Sequence, residues 1–510
     1  MKLKANVLDP WVSAENARRA VSSTLDPHRR STLGQFFTPS TTARFMASLA
    51  EPRRERIRFL DPGAGAGALT AAWVAEICLR TPRPREVVLT AFEIDQTLLP
   101  LLRQTLVACE RACTEAGIAC KWDIRAEDFI ETAVRSLDTG LFPAEPLAFD
   151  LAILNPPYKK FLSDSRTRQL LRRVNMETSN LYTAFLALVI MLLDDKGELV
   201  AITPRSFCNG PYFRPFRKYL LNSVSLKRVH VFESLDNAFR DDDVLQENVI
   251  LHGVKAVRQE PTVKISWSRT PEDKDIVERT VPFQRVVRPS DAQAFIHLVL
   301  DTKGQALADA MERLPCTLED LGLAVSTGRV VDFRARHWLR SQPSTETVPL
   351  IYPTHFDGGL IQWPKPTTKK ANAIIYSTNT AALMVPSGVY VLVKRFSAKE
   401  ERRRVVAAVF DDRIVACQAV GFENHLNYFH ECGASLNRTL ARGLSAFLNC
   451  SSLDTYFRQF NGHTQVNAAD LRALRYPTRA ALIELGRRVG SNLQSQDALD
   501  TVVAETLGLR

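Results

Sequence analysis

Between residues 57 and 252 the chain alternates two hydrophobic patterns. One is a short, continuous apolar run bounded by turn residues, which reads as a strand buried on both faces. Seven such segments stand out: Ile57–Asp61, Val87–Phe92, Lys121–Ile124, Phe149–Leu154, Gly197–Pro204, Lys227–Phe232 and Glu247–His252. Lys121–Ile124 is the weakest of them. The other pattern predicts helices over Thr41–Ala50, with Ser40 or Thr41 as N-cap, over the strongly apolar Leu181–Leu193, and over Pro211–Leu221, with a short helix at 11–25. Strands alternating with helices imply an α/β fold with a doubly wound, mostly parallel sheet of these seven strands. The last two strands follow each other without a long helix, so one of them is expected to run antiparallel.

Past about residue 255 the pattern changes. Strand-like pieces become irregular, with proline-rich turns around 343–366, and this reads as a separate mixed α/β domain. Trp338, Tyr352, Trp363 and Tyr376 interleave there with basic residues, and Lys394, Arg395 and Arg402–Arg404 add positive charge. Aromatic and basic residues in loops suit nucleic-acid contact, although a charge run also serves as a solvated face.

Composition narrows the class. The chain has 510 residues, 45% hydrophobic and 24% charged, ordinary for a globular protein of several domains. A net charge of +10 fits a polyanionic partner. No apolar run approaches a membrane span, and Met1–Pro10 lacks the apolar core of a signal peptide. Nine scattered cysteines without a Cys-x-x-Cys pair read as reduced thiols of a cytoplasmic protein. Cys109, Cys113 and Cys120 are close in sequence, but helical spacing of this kind favours packing over ligation, and no metal is expected.

The chemistry gathers at the ends of the strands. Phe149–Leu154 runs into Asn155-Pro156-Pro157-Tyr158, where two prolines stop the strand and hold Asn155 at its carboxyl edge. Ligands bind at that edge in an open α/β sheet. An aromatic primary amine is a poor nucleophile because its lone pair is delocalised. The Asn155 side-chain oxygen and the Pro156 carbonyl can accept its two hydrogens and draw the nitrogen towards tetrahedral geometry, while Tyr158 offers a π face. The same residues also make a proline-stiffened turn. Asp61-Pro62-Gly63-Ala64-Gly65-Ala66-Gly67 is a small-residue turn between strand and helix, neither a dinucleotide nor a P-loop spacing, and suits a nucleoside without phosphates. Glu93, before Ile94, can accept from both hydroxyls of a ribose; an acid there can equally cap a helix. Asp128 can accept from an adenine amine with Phe129 against the ring, or the pair can be a solvated turn. Phe239, in the polar stretch 235–246, can stack on an extruded base or anchor its loop.

Taken in order, Gly34–Pro39, Asp61–Gly67, Glu93, Asp128, Asn155–Tyr158 and Phe239, followed by a C-terminal domain, resemble the γ class of adenine-N6 DNA methyltransferases. More narrowly the chain resembles the PstI/BsuBI group of modification enzymes. Leu444–Pro477, with Asn461–Asn467 and Asp470-Leu471, is similar to the recognition domains of that class. The resemblance implies a seven-stranded S-adenosylmethionine-dependent methyltransferase sheet and S-adenosylmethionine as cofactor. It implies three parts: an N-terminal helical extension at 1–33, a catalytic domain at 34–255 and a DNA target-recognition domain at 256–510. Asn155, Pro156, Pro157 and Tyr158 would be catalytic. Phe37, Thr38 and Pro39 would hold the methionine end, Asp61, Pro62, Gly63 and Gly65 would pass under the cofactor, and Glu93 with Ile94 would hold the ribose. Asp128 and Phe129 would hold the adenine, and Tyr158 and Phe239 would stack on the flipped target base. Double-stranded DNA would be the partner, with CTGCAG as the implied site. The enzyme would act as a monomer and be paired functionally with a cognate restriction endonuclease, without a stable complex. The turn departs from the class at its first glycines, which leaves open which amide meets the cofactor. Rival readings are a methyltransferase of a protein glutamine or an RNA amine, a bifunctional restriction-modification enzyme, for which no nuclease motif is recognisable, and a non-catalytic DNA-binding module.

Overall fold

The computed structural model describes residues 38–138, 146–162, 164–232, 248–256, 258–270, 273, 275–289, 291–367, 369–396, 403–413, 415–461, 465–490 and 495–509. The expected helix at 11–25, the extension 1–33, Phe37 and Phe239 lie outside these residues. The chain divides into two compact units, Met1–Leu300 and Asp301–Arg510.

The first unit is built on one sheet. Its strands are β1 (Arg56–Asp61), β2 (Glu86–Phe92), β3 (Ala119–Arg125), β4 (Phe149–Leu154), β5 (Leu193–Pro204), β6 (Val224–Phe232), β7 (Asn248–Lys255), β8 (Thr262–Ser268) and β9 (Val277–Pro282), in the order β3-β2-β1-β4-β5-β7-β6-β8-β9. The first five pair in parallel, and β7 runs antiparallel to both β5 and β6, as the short connection implied. The helices are α1 (Ser40–Leu49), α2 (Ala68–Leu79), α3 (Leu99–Glu115), α4 (Phe129–Leu137), α5 (Arg166–Arg173), α6 (Leu181–Leu192) and α7 (Arg214–Ser223). All six residues of β4 are buried, so the strand at the centre of the site is covered on both faces. On one face Leu151, Ile153, Ile202 and Ile250 pack with α1, α2 and α3; on the other Ala152, Leu154 and Ala201 pack with α4 and α6. Cys109 and Cys113 lie on the buried face of α3.

Four features differ from the sequence reading. The sheet has nine strands, not seven. β8 pairs in parallel with β6, so the sheet continues past residue 255 and the first compact unit runs to Leu300. The outermost strand β9 is mostly exposed and carries Glu278 and Arg279, which hides it from an apolar-run search and protects an open edge. α1 starts at Ser40 with Pro39 in the cap position and no side-chain cap. Pro211–Phe213 is a 3-10 turn ahead of α7, and proline suits that first turn.

The second unit holds a six-stranded and a five-stranded sheet. In the larger one, 390–394 pairs antiparallel with both 407–410 and 426–430. In the smaller one, 347–351 pairs in parallel with 419–422. The helices Arg438–Leu448 and Arg479–Val489 approach closely at Gly443 and Gly486, where an added Cβ at Gly443 would fall 1.7 Å from the Leu482 carbonyl oxygen. No helix among the described residues is long and apolar enough to cross a membrane.

Candidate active site

β1 ends in Asp61, and the turn that follows is shaped by backbone amides. The Ala64 amide donates to the Phe92 carbonyl at 2.9 Å, and Gly67 donates to Ala64 at 2.8 Å. Gly67 takes a left-handed φ of 85°, and a Cβ there would meet Thr105 Cγ2 at 2.9 Å, so the turn packs on α3 only with glycine in that place. Asp61 is fully buried, and its Oδ2 accepts from the Thr70 hydroxyl at 2.9 Å. Burial pushes its carboxyl up to about 7.

Glu93 follows β2 and turns back onto the same turn. One carboxylate oxygen accepts from the Gly65 amide at 2.8 Å and the other from the Asp95 amide at 2.7 Å. Burial raises its pKa against the pull of those amides. Ile94 beside it is 54% exposed, unusual for a large apolar side chain at a strand end. Together with Gly63, Gly65, Asp128 and Asn155 these residues line a cavity of ≈ 300 Å³.

Asp128 is the N-cap of α4, its Oδ1 accepting from Ile130 at 2.7 Å and Glu131 at 3.3 Å. The cap fixes the carboxylate at the cavity rim and uses only one of its oxygens. The solvated-turn alternative is thus replaced by a helix start. Phe129 is buried between Phe92, edge-on at 5.3 Å, and Phe185, tilted at 5.1 Å, so the cavity wall is aromatic and rigid.

Asn155 stands at the carboxyl end of β4 with both amide groups engaged. Its Nδ2 donates to the Thr38 hydroxyl at 3.1 Å, and its Oδ1 accepts from the Tyr158 hydroxyl at 2.9 Å. The Tyr158 hydroxyl also lies 3.3 Å from the Ile202 carbonyl, which ties the turn to β5. Burial raises the phenol's pKa, so it remains a donor at any ordinary pH. A carbonyl oxygen has two acceptor sites, so this contact orients Asn155 without exhausting it. The Tyr158 ring meets Tyr182 edge-on at 6.3 Å, and the Tyr182 hydroxyl bonds Ser206 at 2.9 Å.

The structure therefore brings Thr38, Pro62, Gly63, Gly65, Glu93, Ile94, Asp128, Phe129, Asn155 and Pro157 around one cavity, while Pro39, Asp61, Pro156 and Tyr158 are not part of its lining. Leu181, Phe185, Lys159 and Thr167 also line it. Lys159, which the sequence reading did not single out, follows Tyr158 directly, and its charge at the turn is the signal that could have found it. Leu181 and Phe185 share a face of α6 at i, i+4 spacing, but that helix is apolar all round and its cavity-facing stripe has no sequence signature.

The aromatic residues of the second unit divide. Tyr352 is buried at 2% exposure, its hydroxyl donating to Asp332 at 2.6 Å, so it is a core residue there. The Trp363 indole donates to the Asn372 carbonyl at 2.5 Å. Tyr376 is 41% exposed, and Phe333, which the sequence reading did not single out, is 77% exposed beside Arg334. Asn461 accepts from Arg404 at 2.8 Å, and Asn467 with Asp470 forms a capping box, so these three hold turns together. Residues 462–464 lie outside the described residues.

Comparison with known proteins converges on one family. The profile of the Eco57I restriction-modification methylase matches residues 101–239. The chain is 44% identical over 498 residues to the type II methyltransferase M.PstI of Providencia stuartii, covering 98% of this chain and 97% of that one. It is 46% identical to the type II methyltransferase M.BsuBI of Bacillus subtilis, covering 94% of each. Among solved structures, the type IIL restriction-modification enzyme MmeI in complex with DNA aligns with 99% of this chain and 76% of that one, with a TM-score of 0.51 at 10% identity, a likeness of fold.

Proposed function

This chain belongs to the type II methyltransferases of restriction-modification systems, and from that premise we propose that it moves a methyl group from S-adenosylmethionine to N6 of an adenine in a short palindromic duplex site. The resemblance to the PstI/BsuBI group makes CTGCAG the site. The observation that carries the reading is Asn155, held by Thr38 and Tyr158 at the cavity rim.

The lining suits the cofactor. Glu93 is a buried carboxylate supplied by backbone amides among the described residues, and ribose hydroxyls would add donors to it. Asp128 offers its second oxygen to an adenine amine, with Phe129 and Ile94 as apolar walls. Phe37, Thr38 and Pro39 take the methionine end, and Asp61 with the Pro62–Gly65 turn supports the cofactor from below. When bound, the cofactor supplies a methyl group on a cationic sulfur.

The protein's own work is to prepare the nitrogen. Asn155 Oδ1 and the Pro156 carbonyl accept the two amine hydrogens, and Pro157 stiffens the turn that presents them. Neither acceptor changes protonation, and the proton that the methylated nitrogen sheds passes to water, so the reaction needs no titrating base at this position. The target base must leave the duplex, at a cost of a few kcal/mol that stacking on Tyr158 and Phe239 offsets. Holding nitrogen and methyl in line removes much of the barrier. The basic surface gives an affinity that falls steeply with salt. The second unit reads the site, the protein works as a monomer in the cytoplasm, and a cognate endonuclease cuts unmodified DNA without binding it stably.

Methyl transfer to plasmid DNA, with modified positions read by single-molecule sequencing, tests this. N6-methyladenine at one short palindrome is expected. Cofactor binding with no modified adenine would sink the reading and point to a protein glutamine or an RNA amine.

A further inference from the structure

A second polar site lies along the same sheet edge, on the far side of Asn155 from the cofactor cavity. Asn248 opens β7 and is 3% exposed, yet neither its amide nitrogen nor its carbonyl oxygen has a hydrogen-bond partner among the described residues. Buried amide groups left unsatisfied cost stability, and such exceptions call for an explanation. Strand packing does not require asparagine there, since Val249, Ile250 and Leu251 after it are apolar and buried.

The ladder fixes where the amide points. Asn248 pairs with Pro204 at the carboxyl end of β5, and Ile250 pairs with Ile202. Side chains two positions apart share a face. Ile250 and Ile202 pack in one cluster with Ala43 and Met46 of α1, so Asn248 is on the α1 face. On that helix Thr42 is fully buried, and its hydroxyl also lacks a partner among the described residues. Thr42 is one turn from Thr38, which holds the Asn155 amide, and the Ile202 carbonyl is the group that meets Tyr158. Two orphaned polar groups, from two elements, thus belong to the same face of the sheet as the helix that follows Thr38. Along the sheet order β2-β1-β4-β5-β7 the cavity lies over β2 and β1, Asn155 ends β4, and Asn248 lies over β5 and β7.

We propose that Asn248, assisted by Thr42, recognises the ring edge of the extruded base. Its Nδ2 donates to a ring nitrogen flanking the amine, N1 or N7 of adenine, and so delivers the amine to Asn155. The inference rests on the reading that the acceptor is an adenine amine. It makes Asn248 a specificity-determining residue: an amide can donate to a ring nitrogen, whereas a carboxylate or an apolar side chain cannot.

The test uses the full chain and short duplexes carrying 7-deazaadenine or 1-deazaadenine at the target position, each lacking one ring acceptor. The wild type is expected to lose about 10²-fold in kcat/KM on one of the two, since a site built for a hydrogen bond rejects the analogue that lacks it. Asn248→Leu and Asn248→Asp are expected to fall similarly on adenine, to bind S-adenosylmethionine normally, and to lose the discrimination between adenine and that analogue. The analogue arm needs no altered protein, so it stands if a variant fails to fold. A wild type that accepts both analogues like adenine, or an Asn248→Leu enzyme with undiminished kcat/KM, would overturn the assignment and leave the adenine reading intact. Failure of the wild type on every adenine duplex would overturn the reaction itself, and this assignment with it.

Discussion

The two ends of the same strands treat buried acids in opposite ways. At the amino end of β4, Asp150 is 3% exposed and surrounded by cations. It accepts from Arg58 Nη2 at 2.8 Å, from Arg58 Nε at 3.0 Å, from the Arg58 amide at 2.8 Å and from Arg54 at 2.6 Å. Against its burial, these arginines hold the carboxyl below the usual range, and Asp194 shares Arg58 with it. At the carboxyl end, Asp61 and Glu93 are as deeply buried, but among the described residues neither forms an ion pair, and burial pushes both upward. One end is closed on itself. The other carries an unpaid electrostatic cost, which a fold keeps where an incoming ligand brings the missing donors.

The sharpest way to break that contrast is to alter the open end without disturbing the closed one. Asn155→Ala is expected to lower single-turnover methyl transfer by about 10³-fold, the upper range for deleting one oriented polar group. Cofactor affinity, measured by equilibrium dialysis, and the denaturation midpoint should stay near wild type. Loss of cofactor binding with transfer preserved would put Asn155 in the wrong role.

The converse test alters the closed end. Asp150→Ala leaves two partly exposed arginines with Asp194 as their remaining acid and should cost about 2–3 kcal/mol in denaturant unfolding, less than a fully buried pair because of that exposure. The kcat/KM of the folded fraction should not move. The sign with pH is set by the depressed pKa. Asp150 contributes its full stabilisation above the unfolded-chain value near 4, and the contribution is lost as pH falls through the lower folded value. Wild type should therefore lose its advantage over the variant in acid. An advantage that shows no decline as pH falls below 4 would contradict the ion-pair account.

How much of this was legible depends on where the constraint resides. Asn155-Pro156-Pro157-Tyr158 and the glycine turn were readable because local chain geometry dictates them: prolines end a strand, and only glycine fits at Gly67. Phe185 was not readable, because a helix apolar on every side hides which face meets a cavity. Tyr352 was misassigned to a surface role, because its Asp332 partner lies 20 residues away in sequence and a proline-rich context suggests a loop. β9 was missed for the opposite reason, an edge strand being polar by necessity. The unsatisfied amide of Asn248 had no sequence signature, since an asparagine at a strand end is unremarkable until its partners are counted.

Glu93→Gln probes the open end more gently. It keeps the shape and one acceptor oxygen, but replaces the other with an amide that faces a backbone N–H. A loss of about 10- to 100-fold in S-adenosylmethionine affinity is expected, the 1.4–2.7 kcal/mol of one or two charge-assisted hydrogen bonds. At saturating cofactor, kcat should be nearly restored. A variant that binds the cofactor normally would mean Glu93 serves only to shape the turn through Gly65 and Asp95.

The smallest expected effect is also the most specific to an unpaired acid. Asp61 titrates near 4 in the unfolded chain and at about 7 when folded, so the native state retains a proton that the unfolded chain has released between those values. Stability from this group is therefore fully present below pH 4, declines as pH rises towards 7, and is flat above. Asp61→Asn keeps the shape and the Thr70 contact while removing the charge. The apo-protein should then gain about 1 kcal/mol over wild type at pH 8, much of the desolvation relief being offset by the weaker bond from the Thr70 hydroxyl to a neutral acceptor. At pH 4 the gain should vanish. The variant should also hold the cofactor less tightly, because the charge that is costly in the empty fold is what a cationic ligand rewards. That pairing, more stable alone and weaker in complex, is the exchange expected where strain is kept for function. The Asp150 variant should show the reverse at the closed end of the sheet: less stable, with cofactor binding untouched.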